Sequence, residues 1–171
     1  MEKNSVKVTW KGGPVTLLGN EIKVGQKAPD FTALGATLNK VKLSDYAGKV
    51  VVISVFPSLD TGLCAIQNRT FNQLAAKLGE DIVILGISKD LPFAQSRFCA
   101  AEGIDKVLIL SDYRDLGFAA NYGFFMDELG LLARGIVVVD KGGVVRHVEY
   151  VPEGTTEPNY NAALEVAKSL V

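Results

Sequence analysis

Val50-Val51-Val52-Ile53-Ser54-Val55-Phe56 runs into Pro57-Ser58-Leu59-Asp60-Thr61-Gly62-Leu63-Cys64, and apolar residues then recur at Phe71, Leu74, Ala75 and Leu78. The first seven residues are rich in β-branched side chains without polar alternation, which suits a strand buried on both faces. The last four fall at i, i+3, i+4 and i+7, one face of a helix, and Gly79 supplies a stop. Proline and glycine between the two patterns mark a turn. The reading is strand, turn, then a helix over 64–78, and Ile82 to Ser88 is a second buried strand. A strand–helix–strand unit of this kind pairs its strands in parallel through a right-handed crossover.

Working outward, Asp90 is placed to cap a helix over 91–102, with Pro92 in its first turn and Gly103 past its end. Val107 to Leu110 is a short third strand, and a helical piece follows near 115–121. Gly135 to Val139 and Val144 to Tyr150 face each other across Asp140-Lys141-Gly142-Gly143, a hairpin pattern. Residues 158–169 close with a helix whose Tyr160, Ala163, Leu164 and Ala167 share a face. At the other end, residues 6–18 alternate as a hairpin turning at Gly12-Gly13-Pro14, and 25–31 and 34–39 read as loop and short extended pieces. The expected fold is α/β and thioredoxin-like: a mixed central sheet flanked by helices, with an N-terminal β-hairpin extension. No repeat or linker divides the chain, so a single domain over 1–171 is expected.

Composition removes several classes of function. The 18 Lys and Arg nearly balance the 19 Asp and Glu, and no stretch is strongly basic, which argues against nucleic acid or an anionic membrane as partner. The apolar runs are too short to span a bilayer, and Met1-Glu2-Lys3-Asn4 does not begin like a secretory signal, so a cytoplasmic location is expected. With two cysteines and one histidine at no ligand spacing, a tetrahedral metal site lacks donors. In a reducing compartment that pair of cysteines points to redox chemistry or to two bland buried thiols.

Cys64 is the more telling of the two. It falls in the first turn of the 64–78 helix, beside unpaired N–H groups and the positive end of the helix dipole. Both favour the thiolate, the nucleophilic form of cysteine. The bland reading, a small hydrophobe buried in that turn, stays open. His147 stands alone in a strand far along the chain and offers no base for a cysteine–histidine pair. Five of the aromatic residues crowd into 113–125, as core packing or as an apolar collar. Arg69, Arg97, Arg114, Arg134 and Arg146 are all candidates for a cation near the sulfur, and spacing does not choose among them.

Pro57, Thr61 and Cys64, set as P-x-x-x-T-x-x-C after a buried strand, resemble the active-site motif of the peroxiredoxin family. The longer stretch from Phe56 to Cys64, with a second cysteine at Cys99, is similar more narrowly to the atypical two-cysteine peroxiredoxins of bacteria. Gly25-Gln26-Lys27-Ala28-Pro29-Asp30-Phe31, the segment 88–99, Ser111-Asp112, Arg134 and Val151-Pro152-Glu153 extend the resemblance along almost the whole chain.

The resemblance implies a peroxidase in which Cys64 is the peroxidatic residue, attacking a peroxide oxygen to become a sulfenic acid. It implies that Cys99 resolves this as an intramolecular disulfide after local unwinding, and that thioredoxin recycles the enzyme. Hydrogen peroxide and organic hydroperoxides would be reduced to water and alcohols in antioxidant defence. Thr61 would hydrogen-bond thiolate and peroxide, Arg134 would be the chosen cation, and Pro57 would shield the pocket. On residues alone, Thr61 is as well a helix cap and Pro57 a strand terminator. A homodimer is implied, and no metal, haem, flavin or other cofactor. The chief rival, a thioredoxin-type dithiol reductase, would carry C-x-x-C, where this chain has Thr61. A redox-regulated holdase using the same thiols is a second rival.

Overall fold

The computed structural model describes residues 1–171. In chain order its elements are β1 (Lys3–Trp10), β2 (Gly13–Leu18), β3 (Thr32–Leu34), β4 (Lys40–Lys42), a 3-10 turn (Leu43–Tyr46), β5 (Val50–Val55), α1 (Gly62–Ala75) and β6 (Ile82–Ser88). Then come α2 (Pro92–Glu102), β7 (Leu108–Ser111), α3 (Gly117–Tyr122), β8 (Phe125–Met126), β9 (Leu131–Leu132), β10 (Gly135–Val139), β11 (Val145–Tyr150) and α4 (Tyr160–Ser169). The central sheet has the order β11-β10-β5-β6-β7-β3-β4. Its middle strands β5, β6 and β7 are parallel, while β10, β11, β3 and β4 add antiparallel pairings. This is the mixed, helix-flanked sheet expected of a thioredoxin-like fold.

Every residue of β5 is buried, as its unbroken apolar run requires. Alternate side chains serve two cores. Val51, Ile53 and Val55 join Phe118, Tyr122, Phe124 and Leu17 on one face of the sheet. Val50, Val52 and Phe56 join Cys64 and Phe71 of α1 and Ala163, Leu164 and Ala167 of α4 on the other. Of the aromatic residues in 113–125, Phe118, Tyr122 and Phe124 are core and Phe125 packs against them, whereas Tyr113 lies outside; Phe118 stacks on Tyr122 at 4.6 Å and Phe124 on Tyr150 at 4.3 Å.

Several details differ from the sequence reading. The N-terminal hairpin turns at Lys11-Gly12, both at positive φ (51° and 81°), so Gly13 and Pro14 lie inside β2. Two such residues close a hairpin without further help. Pro14 is tolerated because β8 pairs only with Leu17 and Leu18, which leaves the start of β2 at an edge. The hairpin is also not a free appendage, since β8 and β9 extend it into a second sheet of order β1-β2-β8-β9. Those strands are two residues each, too short to carry a period.

Asp90 does not cap α2, whose N-cap is Leu91 without a side-chain bond. Its carboxylate turns back instead, accepting from the Leu59 N–H at 2.9 Å and the Ser58 hydroxyl at 2.8 Å. In the loop ahead of Cys64, Asp90 thus takes the Leu59 N–H, while the Asp60 and Thr61 N–H groups go to the Ser58 hydroxyl and carbonyl.

Gly135 opens β10 where neither a side chain nor a shift fits. A Cβ there would overlap the Glu149 carbonyl oxygen and stand 2.6 Å from a Phe124 ring carbon. Gly135→Ala is expected to destabilise the protein by about 3 kcal/mol through overpacking. Denaturant unfolding checks this, and a loss below about 1 kcal/mol would mean the strand gives way.

Candidate active site

α1 begins at Gly62, two residues earlier than its apolar face suggests, because Thr61 is a true N-cap. The Thr61 hydroxyl accepts from the Cys64 N–H at 3.2 Å and donates to the Ser58 carbonyl at 3.2 Å. Cys64 is therefore the third helical residue, held in the first turn, and it is 0% exposed. Thr61 makes no bond to the sulfur; its hydroxyl is committed to backbone on both sides.

Of the five candidate arginines, one reaches the thiol. Arg134, just ahead of β10, is 1% exposed and places Nη2 3.4 Å from Cys64 Sγ. Its Nη1 donates to Gln67 Oε1 at 2.7 Å and its Nε to the Gly154 carbonyl at 3.0 Å. Arg69, Arg114 and Arg146 pair with Glu102, Asp115 and Asp140 instead, and Arg97 is exposed. No carboxylate pairs with Arg134. A guanidinium keeps its charge in proteins, and burying it without an anionic partner is costly. The guanidinium's remaining nitrogen, Nη2, is turned to the Cys64 sulfur.

Gln67 was not singled out from the sequence, yet it orients the arginine. Fully buried on α1, it also donates to Ser54 Oγ at 2.8 Å and to the Val55 carbonyl at 3.2 Å, so its amide is fixed in one orientation. The signal was there: Cys64, Gln67, Asn68 and Phe71 share one helical face, and two amides interrupt it. Asn68 donates to the Cys64 carbonyl at 2.9 Å, and its buried Oδ1 has no partner.

A cavity of about 230 Å³ opens over this arrangement, walled by Thr61, Leu63, Arg134, Gly154 and Trp10. Trp10 comes from the hairpin tip, which Glu153 clamps by accepting from the Gly12 N–H at 2.7 Å and the Thr9 hydroxyl at 2.9 Å. The Thr155 hydroxyl, with the Gly12 and Thr155 N–H groups, holds the Glu153 carboxyl down at about 2. Gly154 lies flat against the indole, where a Cβ would meet a ring carbon at 2.5 Å. Pro57 is buried at the end of β5. A larger cavity of about 490 Å³, between Ala28, Tyr46, Lys49 and Val139, lies at the opposite end of β5 and contains neither cysteine.

Cys99 sits late in α2, half-buried, and packs against the same apolar cluster that contains Cys64. Both are free thiols in this structure. Burial pushes the Cys99 thiol up, so at rest it is held protonated. The two helices are tied together by the Arg69–Glu102 pair at 3.0 Å and by Asn72, which bonds Gly103, Asp105 and Lys106. His147 is remote from the thiol. It lies on β11 opposite Val138, whereas β10 meets the Cys64 end of β5 at Gly135. Burial pushes its imidazole down against the pull of Glu149.

A mixed sheet whose central strand β5 leads into a capped helix start carrying an arginine-paired cysteine defines a thiol-based redox protein of the thioredoxin-like class. Comparison with known proteins narrows this. A family model described as Redoxin matches residues 23–164. The thiol peroxidase of Bacillus subtilis is 55% identical over 164 residues, covering 96% of this chain and 98% of its own. That of Listeria monocytogenes is 53% identical over 161 residues, covering 94% and 97%. The crystal structure of a peroxiredoxin-like protein from Aquifex aeolicus superimposes with a TM-score of 0.92 at 37% identity, over 100% of both chains. The chain belongs to the Redoxin family and, within it, to the peroxiredoxin-type thiol peroxidases.

Proposed function

We propose that this thiol-dependent peroxidase reduces hydrogen peroxide and organic hydroperoxides by a two-cysteine cycle confined to one chain. The observation that carries the proposal is the buried Arg134, whose Nη2 lies 3.4 Å from Cys64 Sγ and which has no carboxylate to answer it. The Cys64 thiolate attacks the terminal peroxide oxygen, and the O–O bond breaks. The electron pair leaves on the distal oxygen, which takes up a proton as water or alcohol, and the sulfur is left as a sulfenic acid. Arg134 holds the thiolate and then the charge shifting onto the leaving oxygen. Thr61 faces the pocket, and its hydroxyl turns to the bound peroxide by giving up its 3.2 Å bond to Ser58. Pro57 closes the sulfur's surroundings to water.

The Cys99 thiol then attacks the Cys64 sulfenic acid, releasing water and forming an intramolecular disulfide. Each cysteine lies on a helix, and a disulfide needs Cα atoms roughly 4.4–6.8 Å apart, so closure requires local unwinding. A thioredoxin dithiol reduces the disulfide and returns the resting enzyme. The chain acts as one domain, in the cytoplasm and as a homodimer, and sedimentation measures the last of these. The threonine that stands three residues before Cys64 removes the C-x-x-C pair a dithiol reductase would use.

Peroxide consumption coupled to a thioredoxin system tests the reading, with insulin-disulfide reduction as the contrary activity. Cys99→Ser is expected to consume one equivalent of peroxide and then stall as a sulfenic acid prone to overoxidation. Mass spectrometry of wild type after one equivalent should find a 64–99 linkage within a single chain. Sustained turnover of Cys99→Ser with thioredoxin would mean a one-cysteine mechanism.

A further inference from the structure

Both cysteine-bearing elements hang on one carboxylate that takes no part in the peroxide chemistry. Asp90 stands between the end of β6 and the start of α2. One face of its carboxylate holds the loop leading to Cys64, through the Leu59 N–H at 2.9 Å and the Ser58 hydroxyl at 2.8 Å. The same carboxylate accepts from the Ser88 hydroxyl at 2.6 Å. Ser88 Oγ in turn accepts from Gln95 Nε2 at 3.1 Å, and Gln95 is one helical turn ahead of Cys99. Gln95 is itself buried and also bonded to the Leu110 carbonyl at 2.9 Å. A continuous chain of hydrogen bonds thus runs from the turn that seats Cys64 to the helix that carries Cys99.

We infer that Asp90 is a positioning residue for the disulfide step: a latch that keeps the Cys64 turn wound and so sets how long the sulfenic acid persists before Cys99 closes on it. The inference rests on the two-cysteine cycle proposed above. The bonds from Leu59 and Ser58 can form only while the loop is seated, so they favour the wound conformer over the open one. Closure must await that opening, and its rate follows the open population. The first step needs only the wound conformer, which stays in the majority, so peroxide attack does not depend on the latch.

The test compares full-length wild type, Asp90→Ala, Ser58→Ala and the double variant after rapid mixing with one equivalent of hydrogen peroxide. Loss of the Cys64 thiol and appearance of the 64–99 disulfide are followed separately. Thiol loss is expected within about two-fold of wild type throughout. Disulfide closure should be about ten-fold faster in Asp90→Ala, since one charged hydrogen bond is of that size. Ser58→Ala should give a smaller gain in the same direction and add nothing in the Asp90→Ala background. Sulfinic acid formed under excess peroxide should fall in the same order. A merely structural residue would lower melting temperature and slow both steps together. Closure at the wild-type rate or slower in both single variants overturns the latch. A wild type that forms no 64–99 disulfide overturns the two-cysteine cycle itself, a separate result.

Discussion

Cys64→Ser is expected to lose peroxide turnover to background while keeping its fold. The hydroxyl of serine replaces a sulfur that is 0% exposed in a packed turn, so the change in volume is small and the cap from Thr61 survives. What is lost is chemical. Serine is not ionised beside the guanidinium at neutral pH and does not form a stable oxidised state that a thiol can resolve. The measurement is peroxide consumption with thioredoxin in excess, alongside circular dichroism. Retention of more than a few per cent of wild-type turnover would place the chemistry on another residue.

Arg134→Met should lower the rate of peroxide reaction by about 10²-fold or more, the usual scale for removing one donor aimed at developing charge. Methionine fills much of the space, but the Gln67 Oε1 and Gly154 carbonyl acceptors lose their donor, so a stability loss of about 1–3 kcal/mol is expected with it. Arg134→Lys keeps the charge without the planar fork that reaches Gln67, Gly154 and the sulfur together, and its rate should fall between the two. Arg97→Met and Arg114→Met serve as controls, since neither side chain approaches the thiol. Stopped-flow kinetics at fixed peroxide separate these cases. A normal Arg134→Met with a crippled control would move the cation elsewhere.

Much of this was legible in the chain because the signals were local. The run from Val50 to Phe56 could only be a doubly buried strand, and the β-α-β order then left few topologies. The capping role of Thr61, held open beside the active-site role that the resemblance implied, was within reach because three-residue spacing to the Cys64 N–H is a local rule. Arg134 was a different matter. Five arginines fit the composition, and family resemblance picked one; the geometry that brings it to Cys64, across 70 positions, follows from β10 pairing with β5. Gln67 was passed over because an amide on an apolar helical face reads as noise until its partners are known. Asp90 was misplaced for a related reason. An aspartate before a helix matches a cap pattern, but the donors that captured it, at Leu59 and Ser58, come from a loop some thirty positions away. The second sheet escaped because two-residue strands have no period to detect.

The hairpin tip has one more consequence. Trp10 is the only tryptophan in the chain, and its ring lies against Gly154, whose carbonyl holds Arg134 beside the sulfur. The protein therefore carries its single tryptophan on the wall of the candidate pocket. Any shift of the strap between Pro152 and Thr155, as the Cys64 turn unwinds or the guanidinium changes partner, alters the packing and wetness of that indole. Emission from unlabelled enzyme should then step between reduced and oxidised levels in real time, and each turnover can be watched as a change of light.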